Sequence, residues 1–240
     1  MFEYVEKINS LVSRLVSTQE EALIQASKLV ADTIKNDRIV HTIGTGHSQM
    51  VAMEMFGRAS NIANVNTIMD DLVLLAGGAR KSAEIEQVSG LAEIIWKNYL
   101  FDESDVIIII SNSGRNAIPI EMAIKAKKEG LKVIAITSLE QSKKYASKHE
   151  SGKKLYEIAD IVIDNQVPPG DGILNAKGKL YGPASSVLGI IIVNILSTEA
   201  IKLSMAKGVE VPIFQSQNID ETGANNNSLY DRLESRIKHF

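Results

Sequence analysis

The chain has 240 residues, of which 45% are hydrophobic and 23% are charged, and its net charge is −3 at neutral pH. This length and composition predict a globular protein with one substantial core. The lysines and arginines are scattered along the sequence, so the basic face of a nucleic-acid-binding protein is not expected. No cysteine is present, which excludes disulfides, a thiolate nucleophile and cysteine-ligated zinc.

The sequence shows no targeting or membrane-spanning pattern. Its start, MFEYVEKINS, lacks the basic residues and the continuous apolar run of a signal peptide. The longest apolar stretch, Val187 to Leu196, has roughly half the length that a membrane span needs. We therefore expect a soluble, cytoplasmic protein that binds neither membranes nor nucleic acids.

Helical periodicity dominates the region before residue 36. Apolar residues keep helical spacing from Val5 to Leu15 and again from Leu23 to Ile34. Between these segments Thr18 and Glu21 fit a capping box, in which a threonine starts a helix and a glutamate three residues later reaches back. The pattern predicts two helices, which bury their apolar stripes either on the sheet of the same chain or on a second subunit.

From residue 38 onward, apolar strands alternate with helices. Such alternation predicts right-handed crossovers and a parallel sheet with helices on both faces. The fold class is therefore α/β, a three-layer αβα arrangement with about five strands. We expect a single domain over residues 1–240, with a helical extension over about residues 1–36 and a tail over about residues 208–240. The predicted strands are Arg38 to Ile43, Ala63 to Met69, Asp105 to Ile110, Lys132 to Thr137 and Asp160 to Asp164, and helices are predicted over Ser82 to Tyr99, Ala117 to Glu129, Ser142 to His149 and Val187 to Leu203.

A stretch rich in proline and glycine, VPPGDGILNAKGKLYGPASS, follows Gln166. It predicts a long loop, and loops of this length inside compact domains are usually functional or mobile. We expect Asp171, Ser185 and Ser186 to close over a ligand. The alternative for the two serines is that they cap the helix that follows.

The run DVIIIISNSGRNAIPIEM, Asp105 to Met122, carries the strongest functional signal. Its four isoleucines are typical of a strand that is buried on both faces. The tight turn of Ser111 to Gly114 then directs backbone N–H groups and hydroxyls to one point, near the positive end of the next helix. This pattern predicts a phosphate-sized anion site that needs no metal. The alternative is an ordinary loop in which Ser113 or Asn116 caps the helix.

A second turn of small residues, Gly44-Thr45-Gly46-His47-Ser48, ends the first strand. It matches only half of a dinucleotide-binding fingerprint, because Gln49 stands at the third glycine position, so no nucleotide cofactor is expected. The spacing of His41 and His47 does not suit a metal site. Ligands of open α/β sheets bind at the carboxyl ends of the strands. Both turns are therefore expected to converge on one pocket that holds neither metal nor cofactor.

The GTGHS and SNSG turns resemble those of the sugar isomerase (SIS) domain of phosphosugar enzymes and regulators, over about residues 35 to 205. The resemblance implies the SIS fold, a phosphorylated sugar as ligand, and a homodimer or homotetramer in which a neighbouring subunit completes part of the site. Asn116 stands where a serine or threonine is usual. The candidate phosphate- or sugar-binding residues are Thr45, Gly46, Ser48, Ser111, Asn112, Ser113, Gly114, Arg115, Asn116 and Ser185.

Three functions remain open within this resemblance. Phosphoheptose-type isomerases interconvert aldose and ketose phosphates, but some of them carry a glutamate after SxSG, where this chain has Arg115. The SGR tripeptide, AGG at 76–78 and FQSQNID at 214–220 are similar instead to muramic acid 6-phosphate etherases, which eliminate lactate. The third alternative is a phosphosugar sensor without catalysis.

The leading prediction is an isomerase that acts through an enediol(ate), which needs a base beside the carbonyl and an acid that moves protons between oxygens. Glu54 is the candidate base, because it lies in an apolar stretch on the helix after the first turn. Its alternative role is an exposed position or an ion pair with Arg58 at i,i+4. His47 is the candidate acid. Glu86 is a third catalytic candidate, with a surface charge as its alternative.

Overall fold

The computed structural model describes residues 2–219 and 223–240. A central sheet of five strands has the order β2-β1-β3-β4-β5, and every neighbouring pair is parallel. Its strands are β1 (Val40–Gly44), β2 (Val65–Thr67), β3 (Val106–Ile110), β4 (Lys132–Thr137) and β5 (Ile161–Asp164). The five-stranded parallel sheet predicted from the sequence is confirmed. Asp220, the last residue of FQSQNID, lies outside the described residues.

Helices cover both faces of this sheet. A separate antiparallel hairpin consists of β6 (Gly172–Ala176) and β7 (Lys179–Pro183). The helices are α1 (Glu3–Lys35), α2 (Ser48–Met53), α3 (Ala79–Ile85), α4 (Leu91–Trp96), α5 (Ala117–Lys128), α6 (Leu139–Lys144), α7 (Ser185–Ala206) and α8 (Gly223–Leu233).

The isoleucine run of β3 explains the three layers. Val106, Ile108 and Ile110 join a core cluster with residues of α1, α2 and α7. Ile107 and Ile109 point to the other face, into a cluster with α4 and α5. Because successive side chains of a strand alternate between faces, apolar residues at every position require a covered sheet on both sides. Burying each such side chain contributes about 1.5–3 kcal/mol.

Residues 3–35 form one helix instead of the two predicted. Helix α1 has 33 residues and runs through Thr18 without a break. Thr18 Oγ1 donates to the carbonyl oxygen of Arg14, at 2.8 Å, inside the helix, so it caps nothing. The buried residues Leu15 and Leu23 continue one apolar stripe across this point, and that stripe packs on α7 and the sheet of the same chain.

The predicted helix over Ser82 to Tyr99 is also wrong, because it is divided into α3 and α4. Helix α3 ends at Ile85, and Gly90, directly before α4, adopts φ +88°, a left-handed conformation that a continuous helix cannot contain. Both carboxylate oxygens of Glu121 on α5 accept the N–H of Gly90, at 2.9 and 3.0 Å. The break places Glu86 directly after the end of α3.

The hairpin β6–β7 lies within the stretch predicted as a loop. Its two turn residues, Lys177 and Gly178, have φ values of +51° and +81°, as a two-residue type I′ turn requires. The helix predicted near Ser142 to His149 is observed earlier in the chain, as α6. The Ser138 hydroxyl caps it by accepting the N–H of Gln141 at 3.1 Å.

Helix α7 is the one described helix long and apolar enough to cross a membrane by length and composition. Leu188, Ile192 and Leu196 on this helix are fully buried. They belong to the core cluster that also contains residues of α1, α2 and the sheet. In this fold one side of α7 therefore packs into the core.

Candidate functional site

A cavity of about 330 Å³ lies where β1 and β3 end. Its volume is at the lower end of the range of about 300–1,000 Å³ that is usual for small-molecule sites. The structure thus brings together the two turns that the sequence singled out. The lining residues are Thr45, Gly46, His47, Ser48, Leu75, Ala79, Ser82, Ala83, Glu86, Ser111, Asn112, Ser113, Gln141, Asp171 and Ser185.

The turn after β3 is held in one conformation by its own hydrogen bonds. Ser111 N–H donates to the Ile136 carbonyl oxygen at 3.0 Å, and Ser111 Oγ accepts the N–H of Gly114 at 3.1 Å. Gly114 has φ +57°, and a Cβ there would lie 2.9 Å from Thr137 Oγ1, so only glycine fits. Within the described residues, the backbone N–H groups of Asn112 and Ser113 have no acceptor. They are free to bind an anion in the cavity.

The turn after β1 depends on glycine in the same way. A Cβ on Gly44 would lie 2.3 Å from the Ser48 carbonyl oxygen, so glycine allows the start of α2 to lie against the end of β1. Gly46 has φ +55°. Thr45 is buried, whereas His47 is exposed at the opening of the cavity.

Glu86 is the acidic group that these turns enclose. Its Oε2 accepts the Thr45 hydroxyl at 2.6 Å, and its Oε1 accepts the amide of Asn116. Burial raises the pKa of Glu86, although Thr45, the charge of Lys148 and the Asn116 amide act in the opposite direction. A carboxyl group with a raised pKa in a cavity is suited to accept and return protons.

Glu54 does not line the cavity, contrary to the expectation that it would face the ligand. Its Oε1 accepts the Asn194 amide at 3.2 Å and lies 3.3 Å from Arg58 Nε. The alternative of an i,i+4 ion pair is therefore what the structure shows. The physical reason is that Glu54 and Ser48 are six residues apart on a helix with about 3.6 residues per turn, and so point to different sides.

Three further predicted residues lie outside the lining. The Arg115 guanidinium lies over the ring of Tyr145, 5.6 Å from its centroid, where a cation–π contact holds it. Gly114 and Asn116 lie behind the cavity surface and act through their neighbours. Gly114 shapes the turn, and Asn116 holds the Glu86 carboxyl group.

Sequence reasoning missed two polar residues of the cavity, Ser82 and Gln141. Ser82 lies one turn before Glu86 on α3, and together with Ala79 and Ala83 it forms a face of small residues. That i, i+3, i+4, i+7 pattern was the available signal. Gln141 gave no signal, because it lies in a polar segment that is typical of a surface helix. Its Oε1 accepts the Asn112 amide at 3.2 Å and the N–H of Gly170 at 3.1 Å.

The structure also shows where the three residues expected to close over a ligand lie. Asp171 and Ser185 both line the cavity, and they are hydrogen-bonded to each other. Ser186 is not among the lining residues of this cavity. In the described part of the chain, no group of three or more histidine, aspartate or glutamate residues could hold a metal ion.

Comparison with known proteins identifies the family of this chain. Residues 3–138 match the family model described as the SIS domain, and the chain belongs to this family. The resemblance inferred from GTGHS and SNSG is confirmed. Over nearly the whole chain, the sequence is similar to UPF0309 proteins. A UPF0309 protein of Halalkalibacterium halodurans is 38% identical over 95% of this chain and 96% of its own length. One of Caldanaerobacter subterraneus is 39% identical over 99% and 98%.

Solved structures show the same fold at low identity. A phosphoheptose isomerase from Francisella tularensis superposes with a TM-score of 0.58 at 18% identity, covering 83% of this chain and 95% of that protein. The Vibrio vulnificus NanR protein complexed with ManNAc-6P gives a TM-score of 0.51 at 12% identity, covering 98% of this chain and 69% of that protein. The three-layer SIS fold predicted from the sequence is therefore confirmed.

Proposed function

We propose that the protein binds a phosphorylated sugar in this cavity and interconverts its aldose and ketose forms. The observation that carries the proposal is the position of Glu86. Its carboxyl group is held by Thr45 from one turn and by Asn116 from the other, in the same cavity as free backbone N–H groups that suit a phosphate.

The phosphate is assigned to the turn after β3. The N–H groups of Asn112 and Ser113 and the hydroxyls of Ser111 and Ser113 would surround its oxygens, and α5 begins directly behind the turn. Backbone N–H groups at the start of a helix favour a negative charge. Thr45, Gly46 and Ser48 would contact the phosphate or the sugar from the other turn.

Glu86 replaces Glu54 as the proposed base. It would take the proton from the carbon next to the carbonyl, which gives an enediol(ate), and would return that proton to the neighbouring carbon. His47 at the opening would move a proton between the two oxygens. The proton removed from one carbon is delivered to the other, so the reaction needs neither an oxidant nor a reductant.

A phosphosugar sensor is the second candidate, and the similarity to NanR complexed with ManNAc-6P favours it. The etherase alternative has less support. A contact between Arg115 and a carboxylate of the substrate would favour it. Arg115 lies over Tyr145 and is not among the residues that line the cavity.

We further propose a cytoplasmic homodimer or homotetramer. Exposed apolar residues occur on α1 and α2, and apolar residues on one side of α7 are half-buried. Exposed apolar residues on neighbouring helices would form a protein interface if they lie in one patch. Light scattering on the purified protein tests the oligomeric state. The residues are Val5, Val16, Ile24, Met50 and Met53, with Ile190, Ile191 and Ile195 on α7.

Thermal unfolding against a panel of sugars, each with and without its phosphate, tests binding. A ligand at about 100 times its Kd should add about 2.7 kcal/mol to the stability. Ser113→Asp should abolish this stabilisation, because it places a carboxylate where the phosphate binds. Ser10→Asp adds the same charge to an exposed position of α1 and should leave it intact. A folded protein that no sugar phosphate stabilises would refute the proposal.

Turnover separates the isomerase from the sensor. The stabilising sugar phosphate is incubated in deuterated water, and NMR follows both the ketose formed and the exchange of the proton next to the carbonyl. Glu86→Gln should reduce both rates by about 10²–10⁴-fold, the usual contribution of a general base. Glu84→Gln, on the exposed side of α3, should change neither. Binding without isomerisation or exchange in the wild type would establish a sensor.

A further inference from the structure

The cavity contains a second carboxylate, Asp171, at the start of α7. Its Oδ1 accepts the N–H groups of Ala184 at 3.0 Å and Ser185 at 2.7 Å, and its Oδ2 accepts the Ser185 hydroxyl at 3.0 Å. The residue adopts φ +66°, a conformation that is uncommon for any residue except glycine. Three donors therefore fix the carboxylate at the edge of the cavity.

These contacts change what the start of α7 can bind. Helix α7 has 22 residues, and the N–H groups at the start of such a helix attract a phosphate or a carboxylate. In this chain Asp171 already accepts two of them, those of Ala184 and Ser185. The N–H groups of Asn112 and Ser113, in the turn after β3, have no such internal acceptor among the residues that the structure describes and can bind the ligand phosphate.

The charges of the lining strengthen this conclusion. Two carboxylates, Glu86 and Asp171, line the cavity, and no lysine or arginine of the described chain does so. A dianionic phosphate must therefore be bound by backbone N–H groups, hydroxyls and side-chain amides. A second negative group beside Asp171 would be repelled by that carboxylate, with no lysine or arginine among the described lining residues to balance it.

Gln141 and Asp171 together offer a hydrogen-bond donor and an acceptor to the hydroxyl groups of a sugar. Its Oε1 is occupied by Asn112 and Gly170, and its Nε2 has no acceptor within residues 2–219 and 223–240. A side-chain amide offers two donors at this nitrogen. Gln141 can thus donate hydrogen bonds to the hydroxyl oxygens of a sugar, while Asp171 accepts hydrogen bonds from the hydroxyl groups.

We propose that Asp171 determines specificity: it makes the cavity select sugar monophosphates whose remaining groups are neutral hydroxyls. Sugar phosphates with a second negative group at the end remote from the phosphate, such as sugar-acid phosphates and bisphosphates, are rejected. This inference rests on the proposed function, because it assumes that a sugar phosphate occupies the cavity.

Calorimetric titration with two matched ligands tests the inference. The ligands are an aldose 6-phosphate that stabilises the protein and the aldonate 6-phosphate with the same carbon skeleton. The wild type should bind the aldose phosphate at least tenfold more tightly. Asp171→Asn keeps an oxygen acceptor for the N–H groups of α7 but removes the charge. It should reduce the ratio of the two affinities, aldose phosphate over aldonate phosphate, at least threefold. Glu140→Gln removes the same charge from an exposed position beside Gln141 and should leave the ratio unchanged.

The outcomes distinguish a failure of this inference from a failure of the proposed function. Failure of both ligands to bind the wild type would refute the proposed function, and the inference with it. Equal affinity for both ligands, or an unchanged ratio in Asp171→Asn, would overturn the inference alone. If Asp171→Asn does not fold, the wild-type ratio is measured at about 0.05 M and about 0.5 M salt. Screening should reduce it toward one if repulsion is its cause, and an unchanged ratio would overturn the inference.

Discussion

Glu86 at the carboxyl end of the sheet is half-buried and Asp105 at its amino end is fully buried, and their surroundings shift their pKa values in opposite directions. Burial raises the pKa of Glu86, and its hydrogen bonds from Thr45 and Asn116 do not reverse this. Burial also opposes ionisation of Asp105, but hydrogen bonds from His41 and from backbone N–H groups outweigh it and hold the pKa of Asp105 below its usual value.

The difference lies in the donors that each carboxylate receives. Asp105 accepts His41 Nε2 at 3.0 Å, Arg236 at 2.7 Å and the N–H groups of Ile39 and Asp102, each at 2.9 Å. Burial lowers the pKa of His41, so His41 donates as a neutral imidazole and Arg236 supplies the positive charge. The amino end is thus a satisfied structural network. The carboxyl end leaves a carboxyl group that can change its protonation state, beside N–H groups that await a ligand.

The largest expected effect on stability comes from Asp105. Asp105→Asn removes the negative charge that pairs with the Arg236 guanidinium. It also replaces one acceptor oxygen by an NH₂ group, which then faces another N–H donor. Breaking a buried charged pair by removing one partner should lower the free energy of unfolding by about 3–5 kcal/mol. Urea unfolding at neutral pH measures it. Glu103→Gln, an exposed carboxylate two residues earlier, should change it by less than about 0.5 kcal/mol. A loss below about 1 kcal/mol in Asp105→Asn would contradict the comparison.

This contrast could be predicted only in part from the sequence. The apolar runs of the strands and the SNSG turn are local patterns, and they located the sheet and one wall of the cavity. Asp105 gave no signal, because Arg236 reaches it from the far end of the chain. Glu86 was one candidate among several, since its position depends on the helix break at Gly90, which Glu121 on another helix stabilises. Glu54 was preferred, but it lies outside the cavity, and the sequence could not show this because its contact with Asn194 on α7 is tertiary.

A smaller effect is expected at the turn that gives the carboxyl end its free N–H groups. Gly114→Ala introduces a Cβ at φ +57°, 2.9 Å from Thr137 Oγ1, whereas Gly152→Ala introduces one at φ +69° with no atom within 4 Å. Both carry the left-handed backbone penalty of about 1–2 kcal/mol. Gly114→Ala should lose about 1 kcal/mol more from overpacking and should also weaken sugar phosphate binding. Equal losses of stability and unchanged binding would show that the turn is not rigid.

The smallest effect concerns the pH dependence of stability at Glu86. Because its pKa is raised in the folded protein, the folded state binds this proton more tightly than the unfolded state does. The wild type therefore loses stability as the pH rises from the unfolded pKa, about 4.3, through the higher folded value. Glu86→Gln cannot ionise, so it should escape this loss.

We accordingly expect Glu86→Gln to be more stable than the wild type by about 0.5–2 kcal/mol above that window, with no gain below it. Denaturant unfolding at about pH 4 and about pH 8 measures the difference. Glu84→Gln, at an exposed position on the same helix, should show no such dependence on pH. If Glu86→Gln is less stable than the wild type at pH 8, the Glu86 carboxylate has a structural role like that of Asp105. A variant that gains stability there while losing turnover would establish that the carboxyl end of the sheet retains a buried charge for function at the expense of stability.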